Sequence, residues 1–346
     1  MQRIGILTGG GDASGLNAVV RAATLAAAGA GVEMVGIRNG YRGLVESDFQ
    51  RLDPARVARI HRRGGSILGC DNIFRGDAAD FADGVRRAGL DGVIVVGGNG
   101  SLTQAAEMAP LMRRGAVVGV PKTIDRDVAG TEATIGFDTA VEAVENACER
   151  LIDTAESHRR VMIVEVMGRD SGFIALHGAL AGGADVALLP EIPYRVRRVV
   201  DAIVERESRE LTHTLIVAAE GAVAEGGKPI LDRRRTETTG IARLGGIGEA
   251  LAEQLRGLID DEVRTVNLAH LQRGGPPTPF DRVLGTQYGA AAVQALLDGR
   301  SEVMTSYIGG GVELRPLSEA AGKLRQVELD SSMMRAARAV GIRFGD

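Results

Sequence analysis

The run AVVGVPKTIDRD, residues 116–127, joins an apolar segment to two aspartates separated by one residue. Residues 116–120 are small or β-branched and carry no charge, which predicts a strand buried on both faces of a parallel sheet. Asp125 and Asp127 then follow the carboxyl end of that strand, where open α/β sheets bind ligands. One carboxylate there could accept a proton and the other could face a metal. The alternative is a solvated turn that merely contains Thr, Asp and Arg.

Two glycine-rich stretches follow other predicted strands in the same way. Gly9-Gly10-Gly11-Asp12 lies before a helix that begins near Asn17, and Gly97-Gly98-Asn99-Gly100-Ser101 follows a third strand. Glycines let backbone N–H groups approach a phosphate closely, and a helix N-terminus adds a favourable field. The first stretch has the spacing of neither a dinucleotide-binding motif nor a P-loop, and the second resembles a glycine-rich turn found in several kinase superfamilies. Taken alone, the first is as consistent with a tight turn as with a phosphate cradle.

Short β-branched runs alternate with longer alanine-rich stretches along the chain, which predicts an α/β fold. The pattern favours two doubly wound, Rossmann-like parallel-sheet domains linked by a helix from Thr139 to Glu156. The glycine- and arginine-rich residues 224–240 are interpreted as an exposed loop. The predicted strands are Arg3–Leu7, Glu33–Ile37, Gly92–Val96, Ala116–Val120, Val161–Val166, Val186–Leu189, Thr214–Ala219 and Arg264–Leu268.

The composition limits the classes of partner. A net charge of -4, 3% aromatic residues and the absence of Trp among 346 residues argue against nucleic-acid binding. Cys70 and Cys148 lack metal-type spacing, which favours a reducing compartment. Neither an export signal nor an apolar run long enough to span a bilayer is evident, so we expect no membrane association and a cytoplasmic location.

Further motifs place cations at or near predicted strand ends. Met167-Gly168-Arg169 and the segment from His270 to Gly275 are both of this kind. Phosphoryl transfer requires hydrogen-bond donors on the transferring phosphate, carboxylates with magnesium, and a base near the attacking hydroxyl. The glycine stretches, the paired aspartates and these cations together supply such parts.

From Ile4 to about Val293 the sequence resembles the 6-phosphofructokinase family. The resemblance implies transfer of a phosphoryl group to the 1-hydroxyl of fructose 6-phosphate, a glycolytic reaction, in the cleft between the two domains. It further implies a homo-oligomer, a tetramer or a dimer, with shared active sites. The motifs that support it are Leu7-Thr8 with Gly10–Asp12, Gly64-Gly65 with Leu68-Gly69, Pro121–Asp127, Gly136–Ala140, Val164–Arg169, and His270–Gly275 with Asp281-Arg282.

The resemblance also implies that the two domains bind different substrates. Residues 1–138 with 270–303 would bind the phosphoryl donor, and residues 139–269 with 304–346 would bind the sugar phosphate. Asp125 matches the family's base, Asp127 the carboxylate on the Mg²⁺ side, and Thr123 and Arg169 the groups that contact the transferring phosphate. Donor-site matches are Gly10, Gly11, Tyr41 beside the adenine, Asn72, Arg75, Gly98, Asn99, Gly100, Ser101 and Lys122. Acceptor-site matches are Met167, Gly168, Arg169, Glu220, His270 and Arg273, with Arg160 and Arg264 reaching in from a neighbouring subunit.

Four positions depart from the family pattern, and all belong to the donor side. Asn99 stands where an acid usually faces magnesium, and Asn72 stands where an arginine usually reaches the phosphates. Arg126 replaces an asparagine between the two aspartates, and Ser14 replaces a proline. With Asn99 and Asp127 as the metal ligands, an acid restored at position 99 is expected to tighten magnesium and raise kcat.

Two residues bear on the identity of the donor. Gly100 leaves the space that ATP-dependent members keep open for the nucleotide. Lys122 is typical of pyrophosphate users, yet it also occurs with glycine in an ATP-dependent branch. We therefore expect ATP as donor. The alternatives are pyrophosphate, a different acceptor such as sedoheptulose 7-phosphate, or a weakly active paralogue that senses sugar phosphate.

Overall fold

A computed structural model describes residues 1–73, 76–112, 115–236 and 242–346, and for residues 231–236, 242 and 243 it describes the backbone alone. The chain divides into two compact units. The first unit consists of Met1–Thr139 and Arg273–Arg325, and the second of Ala140–Gln272 and Gln326–Asp346. The chain therefore passes from one unit to the other at residues 139/140, 272/273 and 325/326.

The described residues alternate between strands and helices, as the sequence predicts. The elements up to the first passage are β1 (Arg3–Thr8), α1 (Leu16–Gly29), β2 (Glu33–Ile37), α2 (Tyr41–Glu46), β3 (Phe49–Leu52), α3 (Ala78–Arg87), β4 (Gly92–Gly97), α4 (Asn99–Met108), β5 (Ala116–Pro121) and α5 (Phe137–His158). The following elements are β6 (Arg160–Val166), α6 (Phe173–Ala181), β7 (Val186–Leu188), α7 (Val196–Glu207), β8 (Thr214–Ala219), β9 (Leu231–Thr236), β10 (Ala242–Leu244), α8 (Ile247–Leu255), β11 (Glu262–Asn267), α9 (Pro279–Leu297), β12 (Val303–Ile308), β13 (Gly311–Pro316) and α10 (Ser332–Ala339). Helix α5 confirms the helix predicted between the two sets of strands.

The first unit is built on a seven-stranded sheet in the order β13-β12-β5-β4-β1-β2-β3. Strands β12, β5, β4, β1 and β2 are parallel to one another, while β13 and β3 pair antiparallel at the two edges. From β1 the chain first adds strands on one side and then, with β4 and β5, on the other. The direction of strand addition therefore reverses between β1 and β4, and such a switch point is where doubly wound sheets bind ligands.

Helices cover this sheet, and two apolar clusters form its core. Helix α9 packs closely against α1, where a Cβ on Gly289 would lie 2.4 Å from the carbonyl oxygen of Val19. A glycine is required at that position because any side chain would push the two helices apart. Tyr288 beside it is fully buried and donates its hydroxyl to the carbonyl of Ala133, 2.8 Å away.

The second unit has a four-stranded parallel sheet in the order β11-β6-β8-β7. Its core is a separate cluster that includes Val161, Ile163, Ile216 and Leu251. Each unit therefore contains a parallel sheet with its own core, as expected for two doubly wound domains.

Two regions differ from what local sequence suggests. Residues 304–316, expected in the sugar-phosphate domain, form most of the β12–β13 hairpin of the first sheet, because Val303 and Met304 pair with β5. Residues 224–240, expected to be loop, contain β9, which pairs with β10. Strands β12 and β5 are far apart along the chain, and β9 lies in a glycine- and arginine-rich segment whose composition is not typical of a strand. Local sequence therefore does not predict either pairing.

Candidate active site

Three loops of the first unit meet at the switch point of its sheet. They follow β1, β4 and β5, whose parallel register brings the carboxyl ends of all three strands to one edge. The backbone N–H of Gly9 donates to the carbonyl of Val96 at 2.9 Å, and that of Lys122 donates to the carbonyl of Gly97 at 3.0 Å. The two glycine stretches and the loop with the paired aspartates therefore lie side by side.

The first glycine loop is held by contacts that exclude larger side chains. Gly10 has a φ of 75°, which favours glycine, and its N–H donates to the carbonyl of Asp71 at 3.0 Å. A Cβ on Gly11 would lie 2.7 Å from the guanidinium Nη1 of Arg273. Glycine is therefore favoured at both positions, and both residues are partly exposed.

Two cations bind carbonyl groups of this loop. Lys122 is 4% exposed and donates from Nζ to the carbonyl of Gly11 at 2.7 Å. Burial lowers the pKa of Lys122, and the positive charge of Arg273 acts in the same direction. Arg273 donates from Nη1 to the carbonyl of Asp12 at 3.1 Å. The loop therefore combines glycine backbone with two nearby positive charges, which suits a phosphate.

Thr123 and Asp125 hold each other in a fixed arrangement. The Thr123 hydroxyl donates to Oδ2 of Asp125 at 3.0 Å and accepts the backbone N–H of Asp125 at 3.2 Å. Thr134 donates its hydroxyl to the carbonyl of Thr123 at 2.6 Å, which fastens the turn from behind. The carboxylate of Asp125 is thus oriented by its own loop, as a general base requires.

Asn99 reaches from the β4 loop to the β5 loop. Its Nδ2 donates to the backbone carbonyl of Asp127 at 3.2 Å. Its Oδ1 is buried and has no hydrogen-bond partner among the described residues. An amide oxygen with free acceptor capacity, held against the loop that carries Asp127, suits Mg²⁺, which takes one or two protein carboxylates and keeps several waters. Asn99 and Asp127 therefore fit the metal-binding role that the sequence suggests.

Arg126, between the two aspartates, has a left-handed φ of 57°. Its Nε donates to the carbonyl of Glu132 at 2.7 Å, and its guanidinium lies 5.0 Å from the ring centroid of Phe137. Burial lowers the pKa of Arg126 to about 10, and the charge of Arg325 contributes. The replacement of asparagine by arginine at this position thus places the cation on an aromatic ring and a carbonyl of its own loop.

The second unit gathers several predicted acceptor residues at one edge of its sheet. Met167 follows β6 and Glu220 follows β8, and these strands are paired so that Val166 lies opposite Ala219. The N–H of Glu220 donates to the carbonyl of Val166 at 2.8 Å. His270 is exposed in the short 3₁₀ helix that follows β11, the other neighbour of β6.

Side chains and backbone tie these segments together. Oε1 of Gln272 accepts the N–H of Met167 at 3.2 Å, and the carbonyl of Gly168 accepts the N–H of Gly221 at 3.1 Å. Gly168 has a φ of 133°, and a Cβ there would lie 2.7 Å from the carbonyl oxygen of Ser171. Arg169 follows directly and is half-buried.

Arg160 and Arg264 lie apart from that group. Arg160 begins β6, whereas Met167 follows its end, so the two are separated by roughly 20 Å of strand. Both arginines form ion pairs with Glu262, which lies opposite Arg160 in the register of β11 and β6. The unit therefore brings the two arginines to each other but not to Met167, Glu220 and His270.

A family model described as phosphofructokinase matches residues 3–296 of the chain. The chain belongs to the phosphofructokinase family.

Curated relatives include members named for either phosphoryl donor. The ATP-dependent 6-phosphofructokinase of Chloroflexus aurantiacus is 46% identical, over 100% of this chain and 98% of the relative. The pyrophosphate–fructose 6-phosphate 1-phosphotransferase of Amycolatopsis methanolica is 44% identical, over 94% and 96% of the two chains. Among solved structures, Pichia pastoris phosphofructokinase in the T-state matches with a TM-score of 0.81 at 30% identity. That match covers 92% of this chain and 35% of the other, so this phosphofructokinase spans about a third of that chain's length.

Besides Lys122, two further predicted donor-site residues lie in the core of the first unit. Tyr41, expected beside the adenine, is 2% exposed, and its ring lies on Phe81 with centroids 4.5 Å apart. Its hydroxyl donates to the carbonyl of Ser101 at 2.7 Å, and burial raises its pKa well above the usual value. Ser101 is itself 2% exposed. Tyr41 therefore anchors the start of α4, and its buried ring offers little surface to a nucleotide, so its packing does not support the predicted place beside the adenine.

The remaining donor-site positions that the structure describes are more open. Gly98 precedes α4, Gly100 is exposed in its first turn, and Asn72 is exposed. Arg75 lies outside the described residues. Ser14, the replacement for a proline, donates its hydroxyl to the carbonyl of Gly275 at 2.7 Å and so ties the first glycine loop to the loop that carries Arg273.

One buried carboxylate supports the site without having been predicted in that role. Asp281 is fully buried and accepts the N–H groups of Gly136 and Thr139 and the hydroxyl of Thr139, at 2.8, 2.9 and 2.6 Å. Thr278 caps α9 by accepting the N–H of Asp281. The T-x-x-D spacing before an apolar helix is a capping signal that could have identified the start of α9. The partners of Asp281 across the chain carry no such signal.

Proposed function

We propose that this phosphofructokinase is ATP-dependent and phosphorylates the 1-hydroxyl of fructose 6-phosphate, giving fructose 1,6-bisphosphate. The observation that supports this most directly is the reciprocal hydrogen bonding of Thr123 and Asp125 at the end of β5, beside the first glycine loop. A fixed carboxylate next to a cationic glycine loop suits removal of a hydroxyl proton during attack on a phosphate. Curated relatives with that activity name cover almost the whole chain.

Each part of the first unit would have a distinct role. Asp125 would accept the proton of the attacking 1-hydroxyl as its oxygen bonds to the γ-phosphorus of ATP, while the bond from that phosphorus to the β,γ-bridging oxygen breaks and ADP leaves. Lys122 and the backbone of Gly10 and Gly11 would hold the donor's phosphates, and Thr123 would donate to the phosphoryl group in transit. Oδ1 of Asn99 and the carboxylate of Asp127 would hold magnesium. When bound, magnesium neutralises charge that develops on the phosphate oxygens.

The second unit would supply the acceptor site. Met167, Gly168, Glu220 and His270 would contact the sugar phosphate, together with Arg273 of the first unit. Arg169 would donate to the transferring phosphoryl group, because a guanidinium can bind two of its oxygens at once. Arg160 and Arg264 would bind the 6-phosphate in the site of a neighbouring subunit, since they lie far along the sheet from Met167. This assignment requires a homo-oligomer, a dimer or a tetramer.

A second donor has one residue in its favour. Lys122 is typical of pyrophosphate users, and its buried charge beside Gly11 could serve a compact anion as well as a nucleotide. Gly100 points to ATP instead, because it adds no side chain to the exposed first turn of α4. We favour ATP on this ground.

One coupled assay tests the proposal. The purified protein is given fructose 6-phosphate and Mg²⁺ with either ATP or pyrophosphate, and fructose 1,6-bisphosphate is followed through aldolase and an NADH-linked step. We expect a higher kcat/KM with ATP, and a rate at least about a hundredfold lower from an Asp125→Asn control in either mixture. A higher kcat/KM with pyrophosphate would establish the second donor, and no product with either donor would refute the proposed reaction.

The setting proposed for this activity is the cytoplasm. Among the described residues no helix is both long enough and apolar enough to cross a membrane.

A further inference from the structure

The side chain of Asn99 links the loop after β4 to the loop after β5. The two loops are also joined by a backbone hydrogen bond between Lys122 and Gly97. Asn99 is the first residue of α4, and the hydroxyl of Thr103 donates to its carbonyl at 2.8 Å. Its Nδ2 lies 3.2 Å from the carbonyl oxygen of Asp127, within the range of an N–H···O hydrogen bond. Because the partner is a carbonyl oxygen, only the NH₂ group of the amide can fill this position.

The carbonyl of Asp127 accepts hydrogen bonds from two segments of the first unit. It also accepts the backbone N–H of Arg325 at 2.8 Å, and Val128 forms a β-bridge with Leu324. Arg325 is the last residue of the first unit before the chain passes into the second. The peptide that carries Asp127 is therefore held from two sides, by Asn99 and by the segment that ends at Arg325.

We propose that Asn99 is a positioning residue whose amide donor holds the Asp127 peptide, so that the Asp127 carboxylate is set for the metal; this inference rests on the proposed function. An aspartate in place of Asn99 has the same shape but no N–H. It would set a carboxylate oxygen against the carbonyl oxygen of Asp127 at about the present separation, which is repulsive. The geometry therefore predicts that an acid at position 99 weakens magnesium binding, the opposite of what the sequence suggests.

Residue 99 lies in the first turn of a helix, so the expected effect of an acid on stability there differs from the usual one. An added acid in the first turn of a helix is normally favourable, since it faces the positive end of the helix dipole. A loss of stability on Asn99→Asp would therefore go against the general trend and would point to the amide donor. The charged groups on the adjoining segments are Lys122, Asp125, Arg126, Asp127 and Arg325, with Asp12 on the first glycine loop and Arg273 on the loop beside it.

The first experiment needs neither substrate nor metal. Thermal unfolding midpoints are measured in EDTA for the wild type, Asn99→Asp and Asn99→Ala, with amide hydrogen exchange of a peptide that contains Arg325. Both variants should lower the midpoint by about 2–4 °C and speed exchange at Arg325, because the Asp127 peptide loses the hydrogen bond from Asn99. The matched control is Asn146→Asp, where an exposed amide that donates to the carbonyl of Glu142 at 2.8 Å is changed in the same way.

The second experiment separates positioning from general destabilisation. Asn99→Asp should raise the magnesium concentration for half-maximal rate and lower kcat by about tenfold, while KM for fructose 6-phosphate stays within about twofold. Peptide mass spectrometry must first show that the parent is intact, because an Asn-Gly sequence is prone to deamidation.

The outcomes are distinct. Unchanged midpoints and unchanged exchange at Arg325 in both variants would overturn the hydrogen-bonding role. A lower magnesium requirement in Asn99→Asp would overturn the positioning role and restore the simple view that residue 99 only faces the metal. If the wild type transfers no phosphoryl group, the proposed function fails, and the EDTA measurements still decide whether Asn99 holds Asp127.

Discussion

Asp125 obtains its orientation from residues close to it in sequence. The hydroxyl of Thr123 both donates to its carboxylate and accepts its N–H, and Thr134 fastens Thr123 from behind. These short-range bonds orient the carboxylate from within its own loop. The base would therefore be ready before substrate binds, which lowers the cost of reaching the reactive arrangement.

At this scale we predict that Asp125→Asn lowers kcat by about 10²- to 10⁴-fold, the range that a positioned base contributes. The amide keeps the shape of the side chain and can still accept the Thr123 hydroxyl, so KM for fructose 6-phosphate should change by no more than a few-fold. Steady-state kinetics at saturating ATP gives both numbers. Retention of more than about a tenth of the wild-type kcat would exclude Asp125 as the base.

At the scale of elements, buried carboxylates join helices and strands that are distant along the chain. Asp281 near the start of α9 accepts donors from Gly136 and Thr139 at the start of α5. Glu165 in β6 accepts the N–H groups of Gly246 and Gly248, both at 2.9 Å, at the start of α8, and Nδ2 of Asn267 at 2.6 Å. In each case a carboxylate satisfies N–H groups at a helix start, which have no partner within the helix.

For Asp281 the prediction concerns pH. Burial raises its pKa from 3.8 to about 6, although the bonds from Thr139 and Gly136 act in the opposite direction. The folded state then holds this proton more tightly than the unfolded state does. The stability contributed by the protonated group is present below pH 3.8 and is lost as pH rises to about 6, an effect of up to about 3 kcal/mol.

Asp281→Asn should remove that decline, so that the free energy of unfolding between about pH 4 and 6 falls less steeply than in the wild type. It should also cost about 1–3 kcal/mol at all pH values, since one amide oxygen cannot accept all three donors. Urea unfolding across this range measures both effects. Asp298→Asn, at the exposed end of the same helix, is the matched control, and an unchanged slope for Asp281→Asn would contradict the assignment.

For Glu165 the prediction concerns helix α8. That helix begins after Gly246 without a side-chain cap of its own, so the acceptor comes from β6. Glu165→Gln should lower the free energy of unfolding by about 1–3 kcal/mol, because the amide offers one oxygen and presents N–H to N–H. Glu253→Gln, in the same helix with its side chain 70% exposed, should change it by less than about 0.5 kcal/mol. Equal effects of the two variants would show that Glu165 does not support the helix.

At the scale of the whole molecule, the separation of Arg160 and Arg264 from the other acceptor residues makes assembly part of the proposed function. Both arginines lie on the side of the second sheet where β11 is the terminal strand of the order. An edge strand presents unpaired backbone groups that proteins commonly cover. A neighbouring subunit would meet this edge and receive the two arginines at its own acceptor site.

We therefore predict complementation between inactive subunits. Arg160→Ala and Asp125→Asn proteins, mixed under conditions that exchange subunits, should recover activity well above either parent, because some hybrid sites contain both native residues. A mixture of Asp125→Asn with Thr123→Ala is the matched control and should recover little, since both changes fall in the same subunit's site. Failure of the first mixture to exceed the control would argue against shared sites.

The sequence by itself determined the class of fold and the main loops of the site. The β-branched runs at β1, β4, β5, β6 and β8 and the long periodic helix α5 are local patterns, and each depends on residues within a few positions of one another. The Thr123–Asp125 pair is local as well, because its hydrogen bonds join residues two apart. Such features can be inferred from sequence since the interactions that produce them lie within the stretch itself.

Tertiary structure alone decided which residues meet across the chain. The pairing of β12 with β5, the burial of Tyr41 on Phe81, and the bond from Asn99 to Asp127 each join segments that sequence does not connect. Tyr41 has the same local pattern whether its ring faces a ligand or the core, and an amide at position 99 gives no sign of its partner 28 residues away. These contacts depend on the fold, because a buried polar group pairs with the donor or acceptor that the tertiary structure brings within reach.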